Sequence, residues 1–563
     1  MKEIVNNLNK SRKFFIFEIC CMLVFSFILL GFNYDMLADG AFHWRRIDDI
    51  YSNIVKGDVF KFVSDDSLHG LGYASTGFYP SLLLIPFACL RILLSSQICL
   101  LLYMFFIEFL MALNSYIFIK QLTDNKNKQF VFILIYLILW PVIYFEFYML
   151  TLGMITAYAL FPLILAGFIK ILKGKKYGVL LLSGGMTLLV HSHLIFSLII
   201  VIILTALFFI NIKKFIKSPK KILNIIISAI ICIFCSAVVI FPVFEQLIIG
   251  ENLNIKWTFQ RYIEFPANNL LFVLMVFLTV FIFYKSKNKK KTIYLLVVFW
   301  ALLSSTNIFP WFLASKLLEV IQYSNRLQLF ISIPFGLYVI ECDNKKIEKK
   351  VIDIKLYSWV VILFLFFFMS YCKYMGDNNM IEERLHDFNL CIGLGDYLPE
   401  NFFEDCDKEI YGIESEDDRS IINGIEYGKI KLFDNEYAFS LNDKLNYKII
   451  DNNNFEFSHN TNNSIMLPKL YYKGYTVTLN GKEIDYYQGR YGLLTIDTSV
   501  PSGSVSINYT GTMVQNISKI ISYISLLLFG VYAVILLIIK NKNNGYIFYE
   551  RKKITHEQKT KNS

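Results

Sequence analysis

Twelve apolar runs, most of them close to the length of a membrane helix, constrain the fold of this chain more than any other feature. An α-helix needs roughly 20 apolar residues to cross the ~30 Å hydrocarbon core of a bilayer. The runs cover residues 14–32, 79–95, 97–119, 129–146, 154–172, 177–212, 222–243, 267–284, 292–309, 326–340, 354–372 and 517–539. Hydrophobic residues make up 55% of the 563 positions and charged residues only 18%. The pattern predicts a polytopic α-helical membrane protein.

The run at residues 177–212 is too long to be one membrane helix. At 1.5 Å per residue it would extend for about 54 Å. The ionisable cluster inside this run is His191-Ser192-His193. We therefore predict a helical hairpin that breaks at this cluster, with both histidines at its tip.

The run at residues 79–95 is interpreted from the distribution of lysine. It contains Pro80, Pro86 and Arg91 and joins the next run with almost no loop. If it lies at the membrane interface or re-enters, the lysine clusters between the later runs all fall on the side of Lys13, as the positive-inside rule requires. We therefore expect about twelve transmembrane helices in a multi-pass protein of the cell membrane, with both termini in the cytoplasm.

The same lysine clusters account for the formal net charge of +10. They lie between apolar runs, where they act as topology signals, and no nucleic-acid partner is needed to explain them. The long polar segments all fall on the opposite, extracytoplasmic side. We therefore look for function on that side.

This topology divides the chain into four parts. A multi-span membrane domain covers residues 1–372 and includes a long first outer loop at 33–96, whose end is the interfacial or re-entrant segment. An extracytoplasmic domain follows at 373–516, then a terminal transmembrane helix at 517–540 and a basic cytoplasmic tail at 541–563. The expected fold is a helical membrane bundle that carries one domain outside the membrane.

The second half of the extracytoplasmic domain shows the alternation of apolar and polar residues that is typical of strands. Residues 469–480 alternate, a turn follows at Asn480-Gly481, and the pattern returns at 493–497 and 504–509. An Asn-Gly pair between two such segments is a strong hairpin signal. We predict a small antiparallel β module in an α+β or β-rich domain.

The first outer loop carries many ionisable residues beside the predicted membrane helices. Asp39 and His43 are four residues apart, so a helix would place both on one face, and Arg45 follows. Together they can supply a general base, a partner that orients it and a charge that binds phosphate. We therefore take Asp39 and His43 as catalytic candidates and Arg45 as a ligand of a donor phosphate.

Five further residues are supporting candidates. Asp65, Asp66 and His69 form a carboxylate pair with a histidine, which can bind a divalent cation such as Mg²⁺ or Mn²⁺ or can be a plain exposed turn. His191 and His193 either join the site or only cap the bend between two helices. The sequence leaves the metal requirement open.

Arg326 begins the tenth apolar run. An arginine at a helix end commonly extends toward the membrane interface. Positive charge is otherwise scarce on the predicted outer side, so we take Arg326 as a second ligand of a donor phosphate.

Five short motifs are spread over most of the chain. They are DGAFHWRRI at residues 39–47, GLGY at 70–73, FYP at 78–80, QYSNRL at 322–327 and GDYLP at 395–399. In this order they resemble a bacterial family of membrane proteins labelled 6-pyruvoyl-tetrahydropterin synthase-related. The zinc-binding histidine set of the soluble pterin enzyme is not traced in the sequence, so the family label is a poor guide to activity.

The architecture is also similar to the glycosyltransferase C fold. Enzymes of this fold have many spans, a long first outer loop with an acidic residue near its start, and often an outer C-terminal domain. By this resemblance Asp39 takes the position of the acidic catalytic residue. The 6-pyruvoyl-tetrahydropterin synthase-related family has Pro-Trp before an arginine in the segment similar to 322–327. In this chain Ser324 and Asn325 precede that arginine, which is Arg326.

These observations lead to one hypothesis and two rivals. The hypothesis is an inverting glycosyltransferase that takes a sugar from a polyprenyl-phosphate donor and transfers it to a cell-surface polymer or lipid acceptor on the outer face of the membrane. The first rival is a transporter or flippase of lipid-linked sugars, for which Glu108 in the second predicted span is the main candidate. The second is a non-enzymatic scaffold for envelope assembly that recruits partners through the outer domain.

Overall fold

The computed structural model describes residues 40–68, 70–143, 145–146, 150–246, 253–254, 269–304, 324–341, 398–399, 442 and 445–560. Two predicted site residues, Asp39 and His69, lie outside the described residues. The predicted spans at 14–32 and 354–372 also lie outside them, as does the larger part of the first half of the predicted outer domain.

Helices make up most of the described chain. In chain order they are α1 (Gly40–Val55), α2 (Ser75–Phe78), α3 (Ile85–Cys89), α4 (Ser96–Ile119), α5 (Lys126–Ile138), α6 (Trp140–Ile143), α7 (Leu152–Leu172), α8 (Gly178–Val190), α9 (Leu194–Ile210), α10 (Ile212–Ile216), α11 (Pro219–Cys235), α12 (Ala237–Phe244), α13 (Asn269–Lys285), α14 (Lys289–Leu303), α15 (Ser332–Ile340) and α16 (Met513–Thr560). Short 3₁₀ segments occupy Leu90–Ile92, Ser324–Ile331 and Arg490–Gly492.

Three helices of the described chain are long and apolar enough to cross a membrane. They are α4, α7 and the part of α16 at Met513–Leu536. α11 and α12 meet at a bend of 73° and would form a fourth span if they act as one. Shorter apolar helices, such as α8 and α9, accompany them. The structure thus supports a mostly helical protein with candidate membrane spans, while the predicted number of twelve is not shown.

α7 lies inside the helical bundle, whereas α16 lies at its surface. In the most apolar window of each helix, 89% of the residues of α7 are buried but only 6% of those of α16. A Cβ atom on Gly167 of α7 would come within 2.4 Å of the backbone nitrogen of Leu182, so this glycine lets α8 pack closely. The exposed face of α16 is apolar, with Leu527 and Leu528 more than half exposed. Such a surface is suited to contact with lipid.

The apolar run at 177–212 is broken where the sequence predicts. α8 ends at Val190 and α9 begins at Leu194, so the histidine turn lies between two separate helices. His193 caps α9, because its Nδ1 atom accepts a hydrogen bond from the backbone N–H of Phe196 at 3.3 Å.

The segment at 79–95 forms only short helices. α3 has five residues and the following 3₁₀ segment has three. Neither is long enough to cross a hydrocarbon core, and α3 instead packs against α1 and α4.

The C-terminal part of the chain is a sheet domain. Its strands are β3 (Asn446–Ile449), β4 (Asn454–Ser458), β5 (Ser464–Leu470), β6 (Tyr475–Leu479), β7 (Lys482–Glu483), β8 (Tyr487–Gln488), β9 (Leu493–Asp497) and β10 (Gly503–Tyr509). They form two antiparallel sheets, in the orders β3-β4-β10-β6-β7 and β5-β9-β8. β1 (Leu253–Asn254) and β2 (Leu398–Pro399) form a separate short pair. The predicted strands at 493–497 and 504–509 and the turn are confirmed, with Asn480 and Gly481 both at positive φ. The prediction of one strand at 469–480 is wrong, because β5 ends at Leu470 and β6 begins at Tyr475 in the other sheet.

The first loop and the sheet domain share one hydrophobic core. Phe62, Leu71 and Tyr73 from the loop pack in the same cluster as the inner residues of both sheets. The backbone N–H of Leu470 donates a hydrogen bond to the carbonyl oxygen of Leu71 at 2.8 Å. The two parts are therefore joined by backbone hydrogen bonding as well as by apolar burial.

Gly72 lies where the loop packs closely on the sheet domain, and its replacement tests this contact. Its φ is +82°, and a Cβ atom would lie 2.8 Å from the buried hydroxyl of Tyr475. Gly57 has a similar φ of +84° but nothing within 4 Å. Both Gly→Ala variants should be destabilised by about 1 kcal/mol of backbone strain. G72A should lose about 1–3 kcal/mol more from overpacking.

The measurement is thermal unfolding of the purified protein in detergent, with G57A as the matched control. Equal transition temperatures for the two variants would contradict the packing of the loop on the sheet domain.

Candidate functional site

α1 turns a set of polar side chains toward the inside of the protein. Its buried face follows helical spacing and comprises Phe42, His43, Arg46, Ile47, Asp49, Ile50 and Asn53. Buried polar groups need hydrogen-bond partners. Such a large number of polar side chains on one buried face therefore calls for a functional explanation. The helix is held near the start of α4, because Trp44 Nε1 donates to Ser96 Oγ at 2.5 Å.

Arg46 is the centre of this face. It is 3% exposed. Its Nη1 donates to Nδ1 of His43 at 3.0 Å, and its Nη2 donates to the carbonyl oxygens of Tyr79 at 3.0 Å and Pro80 at 3.2 Å and to Ser81 Oγ at 2.5 Å. The guanidinium carbon also lies 4.3 Å from the centre of the Tyr79 ring, within cation–π range. Arg46 thereby fixes the backbone at 79–81 against α1.

This contact determines the protonation state of His43. A guanidinium group only donates hydrogen bonds, so Nδ1 of His43 must accept and the ring proton must lie on Nε2. Burial, the charge of Arg46 and the neighbouring His193 hold the pKa of His43 well below 6.5. Nε2 is buried and has no hydrogen-bond partner among the described residues. His43 is thus a neutral donor whose N–H group is available.

His193 also contacts Tyr79. Its ring centre is 5.8 Å from that of Tyr79, whose ring is 5.4 Å from that of His43. Burial lowers the pKa of His193 most, and the charges of Arg326 and then Arg46 lower it further. Arg326 is therefore close enough to act on His193. We call His43, Arg46, Tyr79 and His193 the His43 cluster.

His191 points away from this cluster. Its Nε2 donates to the backbone carbonyl of Cys235 at 3.1 Å, and its ring centre lies 6.2 Å from that of Phe60. Burial lowers the pKa of His191 to about 4. The structure thus places only one of the two histidines of the turn beside His43.

Arg45 also lies outside the cluster. Its Nε donates to Asp49 Oδ1 at 3.0 Å and its Nη2 donates to the carbonyl oxygen of Asp66 at 3.0 Å. Burial raises the pKa of Asp49, and the charge of Arg45 opposes this rise. A role for Arg45 in binding phosphate stays a prediction, and these contacts give it a structural role in the loop.

Asp65 and Asp66 lie near the sheet domain. Asp65 pairs with Lys61, and Asp66 pairs with Lys56 at 2.7 Å. Asp66 also accepts a hydrogen bond from Asn452 of the sheet domain at 3.3 Å. Partial burial opposes the ionised form of Asp66, but the hydrogen bonds from Lys56 and Ser52 lower its pKa to about 2.

No group of three or more His, Cys, Asp or Glu residues in the described ranges is arranged to hold a metal ion. Because Asp39 and His69 fall outside those ranges, the proposed Mg²⁺ or Mn²⁺ site stays a prediction. The described geometry by itself assigns no metal ligand.

Sequence reasoning missed Arg46 and Tyr79 as site residues. Arg46 follows His43 by three positions, a spacing that places both on one helical face, whereas Arg45 is two positions away and faces elsewhere. The sequence could therefore have indicated Arg46 through its spacing from His43. Tyr79 had no such signal, because its contact with α1 depends on the fold of the loop.

Comparisons with known proteins add no family to this description. No family model and no curated protein matches the chain. The site must therefore be interpreted from its own chemistry.

The buried neutral state of His43 predicts a pH dependence of stability. Since the pKa of His43 is lower in the folded protein than in the unfolded chain, the unfolded chain takes up the proton first as the pH falls. Stability should therefore be full above pH 6.5 and decrease below it, by up to about 1.4 kcal/mol per pH unit for each such histidine.

The transition temperature of the wild type should thus fall between pH 7.5 and pH 5.5, and the fall should be smaller in H43Q. The exposed His459 provides the matched control, and H459Q should behave like the wild type. An equal fall in H43Q and H459Q would show that His43 is not held neutral.

Proposed function

We propose that this protein is a membrane glycosyltransferase that transfers a sugar from a polyprenyl-phosphate donor to a cell-surface polymer or lipid acceptor. The observation that carries the proposal is the His43 cluster, in which a buried guanidinium group fixes a neutral imidazole whose N–H group is available, beside the start of a candidate membrane helix. Each feature suits one part of the reaction.

The cluster suits an anionic leaving group. Arg46 lowers the pKa of both His43 and His193, and Arg326 lowers that of His193, so positive charge is concentrated around them. A guanidinium group stabilises negative charge on a nearby phosphate, and a fixed N–H donor adds to such a site. We assign Arg46 and Arg326 to the donor phosphate, whereas the contacts of Arg45 with Asp49 and Asp66 favour a structural role for Arg45 in the loop.

The location suits a lipid-linked donor. The ring of Tyr79 packs against Gly153 in the first turn of α7, where a Cβ atom would come within 2.3 Å of the Tyr79 ring. The cluster therefore lies at the end of a candidate span, where the headgroup of a lipid would lie if α7 crosses the membrane. The sheet domain, which packs on the same loop, is our candidate for holding the acceptor.

A general base is still required. His43 carries its proton on Nε2, so it cannot accept one there while it remains neutral. Each aspartate of the first loop that the structure describes is in an ion pair: Asp48 with Arg91, Asp49 with Arg45, Asp58 with Lys519, Asp65 with Lys61 and Asp66 with Lys56. Asp39 precedes His43 by one helical turn in the sequence and remains the best candidate.

In the proposed reaction, an acceptor hydroxyl attacks the anomeric carbon of the donor sugar with inversion. The bond between that carbon and the lipid phosphate oxygen breaks, and the electron pair leaves with the phosphate. The hydroxyl proton passes to Asp39. His43 donates its Nε2–H to orient Asp39, and Arg46 and Arg326 stabilise the charge on the leaving phosphate.

A transporter of lipid-linked sugars is the second candidate function. One observation favours it, the burial of Glu108 within the candidate span α4. Ionisable groups inside membrane helices commonly line transport pathways. A variant E108Q that loses all function while D39N retains it would favour the transporter.

The transferase is tested with purified protein in lipid nanodiscs and radiolabelled polyprenyl-phosphate sugars. The wild type should release sugar or transfer it to added acceptor. D39N should be slower by about 10²–10⁴-fold, because a general base contributes that much. R46K should be slower by at least about tenfold, because a lysine cannot reproduce the hydrogen bonds by which Arg46 fixes His43 and residues 79–81.

R45K is the matched control for R46K, since it changes the neighbouring residue on the same helix but not the cluster. Its rate should stay within about threefold of the wild type. The thermal transition of each variant identifies any loss of fold. Unchanged transfer in D39N, or equal losses in R45K and R46K with folding intact, would contradict the proposed mechanism.

A further inference from the structure

A dense group of lysines lies where the chain passes from α9 through α10 into α11. Its members are Lys213, Lys214, Lys217, Lys220 and Lys221. The first four are exposed and the last is partly exposed. No acidic residue occurs between Glu146 and Glu245, so the surrounding sequence provides no negative charge to balance them. We call these five lysines the basic patch.

The basic patch has no counterion in the part of the chain that the structure describes. None of its lysines forms an ion pair there. The lysines that begin α14 differ, because Lys290 pairs with Glu341 at 2.7 Å. Their neighbour Lys289 donates to two backbone carbonyl oxygens at the end of α13. The positive charge of the basic patch is therefore available to an anionic ligand.

One buried aromatic ring holds α10 against the helical bundle. Phe215 is 0% exposed. Its ring centre lies 4.7 Å from that of Phe208 in α9 and 5.9 Å from that of Phe168 in α7. Successive residues of a helix are about 100° apart, so Lys213 and Lys217 lie on the side away from Phe215. The packing of this ring thus directs the lysines outward.

An exposed apolar surface runs along α9 to the basic patch. Leu198, Ile202 and Phe209 follow helical spacing on one face, and each is more than half exposed. Ile210 and Ile216, which adjoin the lysines, are 77% and 66% exposed. Exposed apolar surface of this extent marks a site of contact with another molecule or with a membrane.

α9 separates the basic patch from the His43 cluster. It begins directly after His193, and its 17 residues extend for about 25 Å. This length is close to the ~30 Å thickness of the hydrocarbon core. If α9 lies across the membrane with the His43 cluster at one surface, the basic patch lies near the other surface, at the depth of the lipid headgroups.

Positive charge beside apolar surface matches an amphiphile with a negative headgroup. A soluble polyanion would neutralise the lysines but would leave Phe209, Ile210 and Ile216 exposed to water. An anionic lipid can contact both surfaces at once. Groups of four to eight basic residues at the end of a membrane helix attract anionic lipids for this reason.

We propose that the basic patch binds the headgroup of an anionic phospholipid whose acyl chains lie along the exposed face of α9. Lys213 and Lys217 contact the phosphate, and the other lysines add to the attraction. This inference goes beyond the proposed function, because lipid binding at this end of α9 requires no chemistry at the His43 cluster.

The test is native mass spectrometry of the full chain in a neutral detergent, titrated with phosphatidylglycerol or with phosphatidylcholine of the same acyl chains. The wild type should bind phosphatidylglycerol more tightly by about fivefold or more, because a single lysine near an anionic surface contributes about that factor. K213Q/K217Q should weaken binding of phosphatidylglycerol by about tenfold or more and leave that of phosphatidylcholine unchanged.

K289Q/K290Q is the matched control, because it removes two lysines whose charges already contact groups of the protein. It should bind phosphatidylglycerol as the wild type does. Glycerol phosphate is the competing probe, since it carries the phosphate of the headgroup without acyl chains. It should not displace phosphatidylglycerol at equal concentration.

The wild-type measurement alone can overturn the proposal, so the result does not depend on whether a variant folds. Equal affinity for the two phospholipids would show that the negative headgroup is not recognised. Equal weakening in K213Q/K217Q and K289Q/K290Q would contradict a site at the basic patch. Displacement by glycerol phosphate would show that the ligand is a soluble phosphate and not a lipid. Since no sugar transfer is measured, failure here leaves the transferase assay unaffected.

Discussion

The burial of one guanidinium group organises the candidate site. Moving a charge out of water costs several kcal/mol unless hydrogen bonds replace its hydration. Arg46 meets this requirement with two carbonyl oxygens and a hydroxyl at residues 79–81 and with the imidazole of His43. The loop after α2 must therefore keep one conformation for the charge to remain buried. The same contacts set the tautomer of His43 and the position of the Tyr79 ring against α7.

The first loop depends on the sheet domain in a similar way. Its apolar residues are buried in a core that the two sheets complete, and Lys469 of β5 donates to the carbonyl oxygen of Gly70 at 2.6 Å from a fully buried position. Burial lowers the pKa of Lys469 to about 8. A lysine held this way is costly, so its retention indicates a specific fit between loop and domain. Removal of the sheet domain would therefore also disturb the loop that carries the candidate site.

Local patterns in the sequence predicted the elements that local physics determines. The strand at 493–497 and the turn at Asn480-Gly481 follow from alternation and turn chemistry, and the break at His191-Ser192-His193 follows from the length of its run. The sequence alone did not separate Arg45 from Arg46, whereas the faces of α1 do, because Arg46 lies with His43 on the buried face. Tyr79 and Lys469 could not be identified, because their positions are set by contacts between distant segments. Asp39 lies outside the described residues, so its role still rests on its spacing from His43.

The histidine turn contacts two separate parts of the first loop. His193 contacts the ring of Tyr79, while His191 lies beside Phe60. A helix would have placed two residues of this spacing about 200° apart, so the break is not needed to separate them. The break that the length of the apolar run already requires instead lets His193 cap α9 while both histidines contact the first loop.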